Sequence, residues 1–208
     1  MVRTRIKVCG MKQPAQVSAA IRLGVDAIGM IFYEKSPRCV TIEQARAIRE
    51  VVPAFVSLVG VFVNEDSNKI NTISNKVGLD LIQLHGDEEA TGAEKLTKPY
   101  LRAIQVKSPD YVKSQFMSHK SARGFLLDSY SKTQYGGTGS LLDSQMLPKE
   151  LPNHLIYAGG ISSSTIDEIL ALKPYAIDVN SGVETAPGNK NIEKLKHLIS
   201  SVRKYDAK

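Results

Sequence analysis

The sequence predicts a closed (β/α)8 TIM barrel, built as one domain over residues 1–208. Three observations carry that reading. Short β-branched runs alternate with amphipathic helical segments eight times along the chain. The repeat fills 208 residues at roughly 25 per unit, near the small end for this fold. The positions just after the runs are rich in polar residues and glycine, as the catalytic face of such a barrel requires. A doubly wound open sheet is the alternative, but it rarely needs eight regular units.

Each element has its own local cause. The first strand is expected over 6–9 and its helix over 13–23, closed by Gly24 in the usual C-terminal glycine position. The second strand spans 27–32. Its helix, 42–51, is announced by Thr41 as N-cap, with Gln44 completing a capping box. Strand three is 57–63 with helix 67–77, closed by Gly78, and strand four is 81–84 with helix 88–96. Pro99 ends any helix before strand five at 101–104, and Pro109 starts the fifth helix at a tolerated first-turn position. Strand six is 124–127, followed by a glycine-rich loop over 129–139 and a weak helical segment at 141–146. Units seven and eight pair strand 155–158 with helix 163–172, and strand 176–179 with helix 192–202. No linker, low-complexity tract or shift of composition divides the chain.

Composition narrows the function classes. Hydrophobic residues make up 42% and charged ones 23%, an ordinary globular balance, and no apolar run approaches a membrane span. The N-terminus enters a strand at once with no apolar leader, so a cytoplasmic protein is expected. Cys9 and Cys39 make no disulfide framework. The net charge of +6 suits a phosphorylated or carboxylated small molecule. The densest basic groups, 190–196 and Arg203-Lys204, read as a solvated helix face, so neither nucleic acid nor membrane is the expected partner. No histidine and carboxylate spacing suits a metal, and none is expected.

The post-strand positions then supply the candidates. Cys9 follows strand one; taken alone it reads as a small buried residue. Asp128 follows strand six, either as a helix cap or a loop salt bridge, or as a general acid or base at the barrel mouth. Arg38 follows Pro37 in the second loop, where a guanidinium suits bidentate recognition of a carboxylate, although an exposed surface arginine is the more frequent case. His85 is a candidate acid/base or substrate-binding group, with a structural histidine an equal alternative. Gly159-Gly160 and Ser181-Gly182 lie in loops seven and eight, the common phosphate site of this fold, where glycine lets backbone N–H groups approach the anion. A short extra turn over 184–189 would assist them.

The chain also resembles the phosphoribosylanthranilate isomerase family. The resemblance rests on Lys7-Val8-Cys9-Gly10-Met11, on Phe32-Tyr33 with Ser36-Pro37-Arg38, and on Gln83-Leu84-His85-Gly86-Asp87-Glu88. It continues through Leu127-Asp128-Ser129, Gly136-Gly137-Thr138-Gly139, Ala158-Gly159-Gly160-Ile161, and Asp178-Val179-Asn180-Ser181-Gly182-Val183-Glu184 with Pro187-Gly188. These run in order over essentially the whole chain. Two departures stand out: Leu142-Asp143-Ser144 where the family usually has Phe-Asp-Trp, and Asn180 where it commonly has serine.

The resemblance implies an Amadori rearrangement in tryptophan biosynthesis, turning the aminoaldose N-(5-phosphoribosyl)anthranilate into 1-(2-carboxyphenylamino)-1-deoxyribulose 5-phosphate. It implies Asp128 as general acid, Cys9 as general base, Arg38 on the anthranilate carboxylate, and the amides near Gly160 and Gly182 with Ser181 on the phosphate. No cofactor is needed, because the substrate nitrogen is the electron sink. Free aspartate has a pKa of about 3.9 and free cysteine about 8.5, so the acid must gain a proton and the base must lose one. Lys7 shares a strand face with Cys9 and is the candidate source of positive charge. Two rivals remain at this stage. One is the related aminoaldose isomerase of histidine biosynthesis, which would be expected to use aspartate where this chain has Cys9. The other is a non-catalytic phosphate-binding or nucleic-acid-binding barrel.

Overall fold

The computed structural model describes residues 3–129 and 142–208. Eight parallel strands close into a barrel: β1 (Arg5–Val8), β2 (Ala27–Ile31), β3 (Ser57–Phe62), β4 (Leu81–Leu84), β5 (Tyr100–Val106), β6 (Gly124–Ser129), β7 (Ile156–Tyr157) and β8 (Ala176–Val179). They neighbour one another in chain order, and β8 returns to pair with β1 from Arg5↔Ala176 to Val8↔Val179.

Alternation along the strands divides the core into two layers. Ile6, Val8, Ile28, Met30 and Ile177 face outward and pack under the helices, fully buried. Each such side chain contributes roughly 1.5–3 kcal/mol of burial. Leu101, Ala103, Leu126, Ile156, Ala158 and Ala176 form a smaller separate cluster on the inward face. The same inward register carries Lys7 on β1, Gln83 on β4, Asp128 on β6 and Asp178 on β8, all buried. The barrel is therefore apolar over part of its interior and charged where these side chains gather.

The helices are α1 (Pro14–Arg22), α2 (Ile42–Arg49), α3 (Ser67–Val77), α4 (Ala90–Ala93), α5 (Pro109–Ser118), α6 (Ile166–Ala171) and α7 (Ile192–Asp206). Thr41 and Gln44 form the expected capping box at α2, and Gly78 closes α3 in the left-handed conformation. Ser108 caps α5 by accepting from the Tyr111 N–H, with Pro109 in the first turn.

Four expectations change. The helix expected over 88–96 is the single turn α4. Gly92 and the β-branched Thr91 weaken propagation there. Glu88 is also drawn out of the helix, its carboxylate accepting from the N–H groups of Asn64 and Gly86. Helix α6 starts later than 163, because Ser162 donates its N–H to the Thr165 hydroxyl in a local turn that competes with the helix. In unit six, the described part of the segment expected to be helical holds only a 3-10 turn, Ser144–Met146. The expected turn over 184–189 is also different. A 3-10 turn at Ser181–Val183 precedes a small hairpin of β9 (Glu184–Ala186) and β10 (Asn189–Lys190). Among the described residues, no helix is long and apolar enough to cross a membrane.

Candidate active site

The eight candidate residues come to one cavity at the C-terminal end of the barrel, which Cys9, Arg38, His85, Asp128, Gly159, Gly160, Ser181 and Gly182 all line. Five of the eight strands reach it through inward positions: Ile31 on β2, Val61 on β3, Gln83 on β4, Asp128 on β6 and Asp178 on β8.

Cys9 sits one residue past β1, 5% exposed, its N–H donating 2.8 Å to the Val179 carbonyl. Its sulfur lies against Gly29 of β2, where a Cβ would fall 2.8 Å from Cys9 Sγ and 3.0 Å from Lys7 Nζ. Glycine at that position makes the room in which the thiol and the ammonium sit side by side. Lys7 Nζ donates 2.7 Å to Asp178 Oδ2, its partner in the β1–β8 register. Burial pushes the Cys9 thiol up; Lys7 pulls it down, Asp178 pushes up again, and the net direction is up. The positive charge anticipated from Lys7 is present, but burial and the neighbouring carboxylate outweigh it. Lys7 itself is drawn down by burial, yet Asp178 and Cys9 hold it above its ordinary value, so it stays cationic. Burial raises the Asp178 carboxyl against the pull of Lys7. The 2.7 Å contact between two groups with almost no solvent is that of an ion pair, and we read both as charged.

Asp128 closes β6 at 3% exposure. Its Oδ1 accepts from the Ser129 N–H at 2.9 Å. Its Oδ2 lies 3.3 Å from His85 Nε2, near enough for an ion pair but off the hydrogen-bond direction. On the other side of the ring, Gln83 Nε2 is 2.8 Å from His85 Nδ1. Assigning the Gln83 amide as donor makes Nδ1 the acceptor, so the proton of a neutral His85 sits on Nε2, facing Asp128. Gly159, at φ +83°, passes close by; a Cβ there would lie 2.6 Å from Ser129 Oγ and 2.8 Å from Asp128 Oδ1.

The glycine loops are packed as a backbone surface. Gly159 and Gly160 both have positive φ, and a Cβ on Gly182 would collide with the Ile161 carbonyl. The N–H groups of Gly159 and Gly160 donate to no protein acceptor among the described residues. Two adjacent free amides at the cavity wall form an anion-binding concavity.

Arg38 lines the cavity but is already engaged. Its Nε and Nη2 fork onto Glu184 at 2.7–3.1 Å. The same carboxylate accepts from Lys190 Nζ at 2.7 Å and from the Gly188 N–H at 3.1 Å. Burial pushes Glu184 up, but Arg38 and Lys190 together bring it below the usual carboxylate range. Nη1 of Arg38 makes no hydrogen bond to a described residue, so that edge of the guanidinium is the one available to a ligand.

Residues 6–201 match the family model for N-(5'-phosphoribosyl)anthranilate (PRA) isomerase. The chain belongs to that family. A curated N-(5'-phosphoribosyl)anthranilate isomerase from Pseudomonas fluorescens is 42% identical over 204 residues, covering 98% of this chain and all of the relative. The crystal structure of the phosphoribosyl anthranilate isomerase from Thermus thermophilus has a TM-score of 0.86 at 32% identity, over 97% of this chain and 99% of that one. Another structure, of a family enzyme in complex with reduced 1-(o-carboxyphenylamino)-1-deoxyribulose 5-phosphate, has a TM-score of 0.81 at 30% identity over the same shares.

Against the family pattern, the Gly136–Gly139 motif lies outside the described residues. Leu142 is buried in the main core, and the Asn180 carboxamide accepts from Lys190 Nζ at 2.9 Å. Sequence reasoning passed over Asp178, Gln83, Glu184 and Lys190 as functional positions. The signal for Asp178 and Gln83 was there, as polar residues inside short apolar strands. For Glu184 and Lys190 no local pattern pointed to Arg38, since the contact spans 146 residues.

Proposed function

We propose that this chain isomerises N-(5'-phosphoribosyl)anthranilate to 1-(2-carboxyphenylamino)-1-deoxyribulose 5-phosphate by general acid–base catalysis, with Asp128 as acid and Cys9 as base. The observation that carries it is the convergence of a buried thiol and a buried carboxyl on one cavity, whose wall also carries the Gly159 and Gly160 amides, unpaired among the described residues.

The chemistry follows from that arrangement. The phosphate docks on the Gly159–Gly160 amides beside Ser181 and Gly182, and the anthranilate carboxylate takes the free Nη1 edge of Arg38. Asp128, protonated, gives its proton to the furanose ring oxygen. The C1–O bond breaks as the nitrogen lone pair forms the iminium. The Cys9 thiolate then takes the C2 proton, and the C2–H electrons flow to nitrogen to give the enolamine. Tautomerisation of that enolamine yields the ketone. His85, whose Nε2 lies 3.3 Å from Asp128 Oδ2, is the neighbour placed to stabilise the carboxylate left after the first transfer. No organic cofactor enters, because the substrate nitrogen accepts and returns the electrons. Among the described residues no group of three histidines, cysteines or carboxylates is placed to hold a metal.

The test is kinetic. Removing a positioned acid or base costs about 10²–10⁴-fold in turnover. Cys9→Ala and Asp128→Asn are each expected to lose kcat on that scale. Binding of the reduced product analogue, measured by calorimetry, should change far less. Near-native turnover in either variant refutes the role given to that residue.

A further inference from the structure

We propose that Asn180 is a second donor to the anthranilate carboxylate of the substrate, beside Arg38, and so sets the preference for a carboxylated arylamine. The inference rests on the reading above, which docks that carboxylate on the free Nη1 edge of Arg38. Asn180 directly follows β8 and lines the same cavity as Arg38. The two side chains flank one glycine: a Cβ on Gly10 would lie 2.7 Å from Arg38 Cδ and 2.9 Å from Asn180 Oδ1. They therefore come to the cavity side by side, one from the loop after β2 and the other from the loop after β8.

Lys190 decides which way the carboxamide faces. Its Nζ donates 2.9 Å to Asn180 Oδ1, 3.2 Å to the Asn180 carbonyl and 2.7 Å to Glu184 Oε1. An ammonium has three donors and no acceptor, so the carboxamide atom facing it is the oxygen and Nδ2 takes the other side. The three contacts use all the Lys190 N–H groups, and its side chain has no solvent exposure, so Lys190 does not reach a ligand itself. Nδ2 of Asn180 donates to no described residue. The unpaired polar atoms sealed from solvent among the residues lining this cavity are Gln83 Oε1, His85 Nε2 and Asp178 Oδ1; Asn180 Nδ2 is not one of them and stays open. The positive charge on Oδ1 polarises the amide and makes Nδ2 a stronger donor. A serine at this position has one oxygen for both tasks, whereas asparagine accepts with one atom and donates with another. The substrate has two anionic groups. Its phosphate belongs with the Gly159–Gly160 amides, and the Asn180 carboxamide lies by Arg38, so the carboxylate is its partner: one oxygen for Arg38 Nη1, the other for Asn180 Nδ2.

Calorimetric affinities for two ligands test this: the reduced product analogue, and its counterpart with a plain phenyl ring in place of the carboxyphenyl. Asn180→Asp keeps an oxygen facing Lys190 but turns a second oxygen toward the ligand. At about pH 8 that carboxyl is ionised. The variant is then expected to bind the carboxylated analogue more weakly by well over about tenfold, a lost hydrogen bond to a charged group plus like-charge repulsion, with the phenyl analogue within about twofold of the parent. Asn180→Ala removes the donor without adding charge and should weaken the carboxylated analogue about tenfold; it carries the test if the aspartate variant does not fold. Parental affinity for the carboxylated analogue in these variants overturns the proposal and leaves the Arg38 assignment standing. An equal loss for both analogues also overturns it, and would assign Asn180 to holding Lys190. A parent protein that binds the two analogues alike has no carboxylate subsite, and the Arg38 assignment then falls together with this one.

Discussion

At Cys9 four influences compete, and their signs predict how the thiol responds to its neighbours. Burial and Asp178 raise it; Lys7 and, behind it, Lys190 lower it. Removing the ammonium in Lys7→Met therefore shifts the Cys9 pKa further up, and Asp178→Asn shifts it down. The measurement is the pH dependence of thiol alkylation, with the pH profile of kcat/KM alongside. Both midpoints should move up in the first variant and down in the second. A shared direction in the two variants would mean that they act through repacking rather than charge. Since the base must be deprotonated to work, a thiol held above its ordinary value moves the ascending limb of activity toward alkaline pH. Alternation along β1 made Lys7 legible in the sequence as the neighbour of Cys9. It did not reveal Asp178, because that contact is made by the closure of β8 onto β1, which no local pattern encodes.

The elements show the same division between local and non-local causes. The eight strands, the capping box at Thr41 and the left-handed closure at Gly78 were legible, since alternation, capping and glycine conformation are decided within a few residues. Helix α4 was not, because Glu88 leaves it to bind Asn64, Gly86 and Arg102 across three units of the barrel. The β9–β10 hairpin was missed because it is held by Glu184 and Lys190 rather than by an alternating apolar run. Helix α5 ends on His119, buried between α5 and β5, with Nδ1 3.3 Å from the Tyr100 hydroxyl. Burial, and then Arg102, lower His119 to about 4 from an ordinary 6.5. The unfolded chain therefore takes up this proton first as pH falls. Stability is expected to decline from about pH 6.5 and to have lost this contribution fully below about pH 4. A shift of this size corresponds to about 3 kcal/mol as an upper figure. Urea midpoints of the parent and His119→Gln across that range check it: the variant should lose less stability on acidification. Parallel curves would show that other groups govern acid unfolding.

Across the whole molecule, one carboxylate ties the first units of the barrel to the last. Glu184 follows β8, yet it holds Arg38 from the loop after β2 and Lys190 from the approach to α7. The Arg38 side chain reaches it by crossing Gly10, where a Cβ would lie 2.7 Å from Arg38 Cδ, so the loop after β1 leaves the path open. The Lys190 side chain has no solvent exposure and that of Glu184 only 4%, which makes their contact a buried ion pair. Replacing such pairs wholesale is often harmless, but removing one partner strands the other and costs about 3–5 kcal/mol. Burial already draws Lys190 below its ordinary value, and Glu184 is its main counterweight. Glu184→Gln should therefore lower the urea midpoint and also release the Arg38 fork. The two effects are separable. The added Lys190→Met change removes the stranded ammonium and should restore much of the stability, while leaving Arg38 unheld. If Glu184 positions Arg38 for the substrate carboxylate, the double variant regains its unfolding midpoint but keeps a raised KM, with kcat much less affected. A KM that recovers together with stability would mean that Arg38 finds the carboxylate unaided, and that the link across the barrel mouth serves folding alone.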